Sequence, residues 1–317
     1  MSELSTQALP VILAPGLVEE AVLLRIRGDA AERRFHRARD PIYLLPEADR
    51  ERAFGELHLS WFERLGFDQP IHTALGELPI LAESCARCLV RPALSSRDEG
   101  SDLLVASDGP AGREARTVAV RICASSFSDP ERLLALLRAE LLHVADMVDP
   151  AFGYEPTLPQ VDDGPSYEQL LRDRYKALWN VSVTGRLVRR GVAGADARDK
   201  ARSAFIASFP MLGDSAEEAF ARFFNGDACT HAEFVTFAGS PRARDHAAAQ
   251  GLAPGARCPL CRFQTYAPEP APERLSSQVA EEIVGDFPAW RPAHGLCRQC
   301  ADLYRARITL PELRGYH

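Results

Sequence analysis

A chain of 317 residues, 46% hydrophobic and 26% charged, is long enough for two or three domains and can bury a sizeable core. Its formal charge of −7 repels phosphate backbones, so a nucleic-acid partner is disfavoured and would need a local basic patch. No basic region precedes the first apolar stretch, which Pro15 and Gly16 interrupt, and no apolar run could span a bilayer; neither a signal peptide nor a membrane partner is expected.

In chain order, helical stretches fall at Leu17 to Ile26 and at Arg50 to Leu65, where Phe54, Leu57, Trp61 and Leu65 recur at helical spacing as core positions. Ser95 to Arg116, with Asp108-Gly109-Pro110, reads as an exposed loop or hairpin. Thr117 to Cys123 is β-branched and alternating, a strand that makes Cys123 an inert core residue. Ser128 or Asp129 then caps a helix that opens on Pro130 and runs to about Val148, where Asp149-Pro150 turns the chain.

A second long helix covers Ser166 to Arg190, with Tyr167, Leu170, Leu171, Tyr175, Leu178 and Trp179 as its apolar stripe. Shorter helices are expected at Ala201 to Phe209 and Ala216 to Phe224, and Pro254 to Arg257 leads into the C-terminal segment. Clusters such as Asp163-Gly164-Pro165 are turns; neither a glycine-rich phosphate loop nor a Gly-x-Ser-x-Gly elbow occurs.

Eight cysteines without a secretory signal point to a reducing compartment and a cytoplasmic location, where thiols serve as metal ligands, redox groups or core residues. Cys258-Pro-Leu-Cys261 and Cys297-Arg-Gln-Cys300 share one spacing and stand 35 residues apart. Two such knuckles complete the closed tetrahedral site of structural zinc, in a treble-clef or elaborated ribbon with a helix at Glu273 to Phe287 between them. Two redox pairs or four buried thiols are the alternatives. Trp290, Phe287 and Tyr304 suit a small core better than a base-stacking platform.

Within the first long helix, Ala139-Glu140-Leu141-Leu142-His143 resembles the zincin metallopeptidases, whose HExxH helix carries two histidine ligands and a glutamate base. The resemblance implies a zincin-like central domain, with Glu140 as the catalytic base if the site is active. It also offers Asp149, six positions after His143, as a third ligand. The first histidine of the pattern is Ala139 here, and the glycine of the longer pattern is Asp146.

Helical geometry places Ala139, His143 and Asp146 on one face with Glu140 at its edge. A degenerate metal site of His143 with Asp146, or with Asp149 as the resemblance offers, completed by an outside donor such as His231 or Glu233, is one reading. A structural polar network involving arginines of the 166 to 190 helix is the other. Cys85-Ala-Arg-Cys88 with Cys229 and His231 could form a second structural zinc site.

These readings combine into a helix-rich α+β protein with three parts: a mainly helical region over 1–105, a zincin-like domain over 106–250 and a zinc module over 251–317. The expected function is zinc binding by a degenerate, non-catalytic metallopeptidase-like protein that acts through protein partners. An active zinc hydrolase using Glu140, and a nucleic-acid adaptor using Arg298, Arg305 and Arg307, are the rivals.

Overall fold

The computed structural model describes residues 8–106, 112–158, 165–226, 229–241, 252 and 255–309. It is α+β and helix-rich, with one small mixed sheet, and it divides into two compact units, Met1–Ala238 and Gly239–His317.

In the larger unit the sheet has the order β1-β2-β4-β3, formed by Val11–Leu13, Arg87–Pro92, Arg116–Ile122 and, for β3, Gly100–Val105. β1 and β2 run parallel to β4, with Val11 opposite Cys88 and Cys88 opposite Val118. β3 is the antiparallel edge, Gly100 opposite Arg121 and Val105 opposite Arg116. Of the two forms expected for Ser95 to Arg116, the hairpin is therefore present, while Asp108-Gly109-Pro110 lies outside the described residues. β4 begins one residue earlier than expected and leaves Cys123 just past its end, half-buried rather than in the core.

Five helices connect β1 to β2: α1 (Pro15–Ile26), α2 (Ala30–Arg39), α3 (Glu47–Arg64), α4 (Gln69–Gly76) and α5 (Pro79–Ser84). α6 (Pro130–Val148) starts as expected: the Asp129 side chain accepts from the Arg132 N–H, and Pro130 opens the first turn. It buries Leu133, Leu137, Leu141 and Val144 and packs against α4, α5, β3 and the 25-residue helix α7 (Pro165–Arg189).

The remaining helices of this unit are α8 (Ala197–Ser208), α9 (Ala216–Asn225) and α10 (His231–Gly239). α7 lies so close to α9 that a Cβ on Gly185 would sit 1.9 Å from the Phe224 carbonyl oxygen, an approach that only glycine allows. Arg189 donates to the carbonyls of Phe224 and Gly226, which α9 leaves without helical partners.

The smaller unit holds a hairpin bridged at Arg257 and Gln264, then α11 (Ser277–Asp286) and α12 (Arg298–Thr309). Its core includes Val279, Ile283, Trp290, Leu296, Ala301 and Tyr304, with Phe287 packed at the edge, as the sequence suggested for the three aromatic residues. The Trp290 indole donates to the Gly295 carbonyl at 2.9 Å, and the Tyr304 hydroxyl donates to Asp286 at 2.7 Å. Asp163, Gly164 and Pro254 lie outside the described residues.

Candidate metal centre

The first cysteine pair sits on a tight knuckle. The Cys258 N–H donates to the Phe263 carbonyl at 2.9 Å, and the Arg262 N–H donates back to the Cys258 carbonyl at 2.8 Å. Closing this loop forces Arg262 into the left-handed region, at φ 61°. The second pair lies at the start of α12, where the Cys300 N–H points at the Cys297 sulfur, 3.3 Å away. The Pro268–Cys297 bridge holds the two chain segments together, and the Cys297 N–H points at the Cys258 sulfur, 3.3 Å away.

All four sulfurs lie within 4.8 Å of one another; Cys258 to Cys300 and Cys261 to Cys297 are each 3.8 Å. A zinc–sulfur bond of about 2.3 Å gives a tetrahedron with edges of about 3.8 Å, so the cluster has the size of a four-thiolate site. The sulfurs are far beyond disulfide bonding distance, and all four thiols are free. They could hold a metal ion.

Electrostatics favours a cation between them. Burial opposes ionisation of Cys258, but the amides of Cys297, Cys261 and Leu260 outweigh it and bring this thiol down to about 7. Burial pushes Cys297 and Cys300 up, and for Cys300 the neighbouring thiols add to the effect. Four thiols this close cannot all ionise without a positive charge among them.

The polar face of α6 is arranged differently. Asp146 is 5% exposed and accepts from both terminal nitrogens of Arg186, at 2.7 and 2.5 Å, and from the Trp179 indole at 2.6 Å. This bidentate pair consumes the carboxylate, and it is the polar network with an α7 arginine anticipated from the sequence. Asp149 accepts from the Ala151 N–H at 2.8 Å, closing the turn after α6.

His143 packs edge-on against Trp179, with ring centroids 4.8 Å apart, and hydrogen-bonds the Asn180 side chain. Burial pushes it down to about 4, with Asp146 opposing and Arg186 reinforcing the shift. Glu140 accepts from the Ser101 N–H of β3 at 3.0 Å, while the Ser101 hydroxyl donates to the Glu140 carbonyl at 2.8 Å. Burial raises the Glu140 carboxyl above its ordinary value, and the Ser101 amide opposes that rise.

The proposed outside donors are also occupied. His231 Nδ1 lies 2.7 Å from the Tyr175 hydroxyl inside an aromatic cluster with Phe152 and Tyr154. Glu233 accepts from the Thr230 N–H at 3.0 Å and pairs with Arg222 at 3.3 Å. Cys85 and Cys88 are fully buried where the chain enters β2, whereas Cys229 packs under α7, near Ser182.

Among the described residues, the C-terminal cysteines are the only group of three or more His, Cys, Asp or Glu close enough to share an ion. The geometry therefore does not bring Cys85 and Cys88 together with Cys229 and His231, nor His143 together with Asp146 and Asp149, as metal sites. Sequence reasoning anticipated an arginine of the 166 to 190 helix, which is Arg186, but missed Trp179, Asn180 and Ser101 as partners of the α6 face. Trp179 and Arg186 stand seven residues apart on one helix, a spacing that aligns them but does not name their target. No protein-family model, no curated protein and no solved structure matches this chain.

Proposed function

We propose that this chain is a zinc-binding protein whose larger unit retains a degenerate metallopeptidase-like helix without catalysing hydrolysis, and that it acts by binding a protein partner. The four-sulfur cluster of zinc–thiolate size supports zinc as the ion. The reading of α6 rests on Ala139, which offers no donor atom, and on the engagement of Asp146 with Arg186 and Trp179. A general base such as Glu140 has little to act on without an activated water.

A protein partner is favoured over nucleic acid because Arg305 pairs with Glu269 and Asp302, and Arg307 with Asp286, so two of the three candidate phosphate contacts are engaged internally. No helix among the described residues is long and apolar enough to cross a membrane. We place the protein in the cytoplasm on its thiol content.

The test is elemental analysis together with a peptidase assay. The purified chain should carry one tightly held zinc and show no peptide cleavage. Zinc-dependent cleavage that Glu140→Gln abolishes would establish the hydrolase reading instead. Additional metal bound by Ala139→His would support the metallopeptidase-like ancestry.

A further inference from the structure

β1 forms the opposite edge of the sheet from β3. In the parallel ladder with β2, the Pro10 carbonyl accepts from the Cys88 N–H at 2.8 Å, and the Ala14 N–H donates to the Val90 carbonyl at 2.9 Å. Backbone groups alternate in direction along a strand, so residues 10, 12 and 14 face β2 while Val11 and Leu13 face outward. β1 is an edge of the sheet, and Val11 and Leu13 are the two β1 residues that line a groove of about 1120 Å³. The groove exceeds a small-molecule pocket and suits a length of polypeptide.

Its walls come from α1, α2, α3, the 3-10 turn Asp40–Leu44 and the start of α4. Leu23, Tyr43 and Leu59 line it while being 38, 52 and 41% exposed, and Phe35 and Phe54 lie deeper. The rim is acidic, with Glu19, Glu47, Glu51, Glu56, Glu63 and Asp68 against Arg39, Arg50 and Arg52. The arginines are engaged locally: Arg39 with Asp40 at 3.1 Å, Arg50 with the Leu45 carbonyl at 2.8 Å, and Arg52 with Glu56 at 3.3 Å. A carbonyl leaves Arg50 its charge, but Glu19, Glu47, Glu51, Glu63 and Asp68 outweigh it and set the sign of the field.

We propose that this groove receives an extended segment of a partner protein, added as a strand on β1, with apolar residues toward the floor alternating with lysine or arginine toward the rim. Outward amides at a sheet edge supply the main-chain bonds, apolar walls take alternate side chains, and the acidic rim selects basic ones. The proposal rests on the reading that the chain acts through a protein partner. Its failure is distinguishable, because zinc content and peptidase activity are measured independently.

The probe is a fluorescein-labelled dodecapeptide of alternating valine and lysine, titrated by polarisation into the full chain, with a valine–glutamate peptide as control. The basic peptide should bind and the acidic one should not. Leu13→Pro removes an outward N–H without touching the ladder to β2 and should weaken binding at least tenfold. Glu19→Lys with Glu63→Lys should do the same while leaving β1 intact, and peptide binding should slow amide exchange at Val11 and Leu13.

Absence of binding, or equal binding of both peptides, overturns the proposal. So does a concentration-dependent dimer lost in Leu13→Pro, which gives the edge to a second copy. Protection at Val11 and Leu13 in the free chain that disappears on removing residues 1–7 gives it to the chain's own N-terminal segment.

Discussion

The Cys85–Cys88 and Cys258–Cys261 pairs have the same spacing and opposite surroundings. Cys85 has extended backbone at the end of α5 and leads directly into β2, so both thiols are buried in the apolar core. Burial pushes them up to about 11 and about 12, and no amide is directed at either to offset it. Cys258 instead sits on a folded-back knuckle whose amides converge on its sulfur and lower it to about 7. The chemistry of a Cys-x-x-Cys pair thus depends on the backbone path between and after the cysteines: an extended path makes two hydrophobes, a knuckle makes two thiols that could hold a metal ion.

The strongest way to break this comparison is to remove both pairs in turn. Cys258→Ser with Cys261→Ser should lose the zinc and unfold the smaller unit, because apparent zinc binding worth on the order of 10 kcal/mol or more is folding free energy in such modules. Limited proteolysis and metal content report it. Cys85→Ala with Cys88→Ala should leave metal content unchanged and cost only about 1 kcal/mol per buried sulfur in denaturant unfolding. Zinc lost from the second variant would overturn the distinction.

Asp146→Ala tests whether the α6 face is structural. It leaves the Arg186 guanidinium and the Trp179 indole without their shared acceptor and should cost about 3–5 kcal/mol by chemical denaturation, with zinc content unchanged. Arg186→Met together with Asp146→Leu should recover much of that loss, since removing both partners abolishes the desolvated charge.

His143 supplies a pH signature in the same unit. Its folded value of about 4 lies below the ordinary 6.5, so protonation favours the unfolded chain. Stability should be full above about pH 6.5 and should fall between there and about pH 4. His143→Gln should flatten that segment of the unfolding profile.

The smallest effect is expected on the knuckle itself. Arg262 holds a positive φ that costs an ordinary residue about 1 kcal/mol, so Arg262→Gly should raise the thermal midpoint of the zinc-loaded smaller unit slightly. A clear drop would mean that the arginine side chain contributes more than its backbone strain costs.

Much of this division was readable beforehand where signals were local. Asp129-Pro130 marked the start of α6, the two equal spacings marked the sulfur cluster, and the density of charge on an apolar helix marked a buried polar network. Long-range choices were not readable. Nothing in the chain assigns Asp146 to Arg186 rather than to a metal, because the pairing depends on how α6 crosses α7. Val11–Leu13 is too short to show alternation, and Arg87–Pro92 is marked by the Cys85–Cys88 pair at its start more than by its strand character. Both strands owe their conformation to the neighbours that pair with them.

Gly185 carries a consequence for how the larger unit assembles. The Phe224 carbonyl fits against α7 only where a side chain is missing. A slip of one turn along α7 would bring Val181 or Arg189 to that point, and neither leaves room for the oxygen. The missing methyl thus acts as a steric key: it weakens the isolated helix by roughly 0.5–1 kcal/mol relative to alanine, and in exchange it admits α9 at one setting and rejects the neighbouring ones.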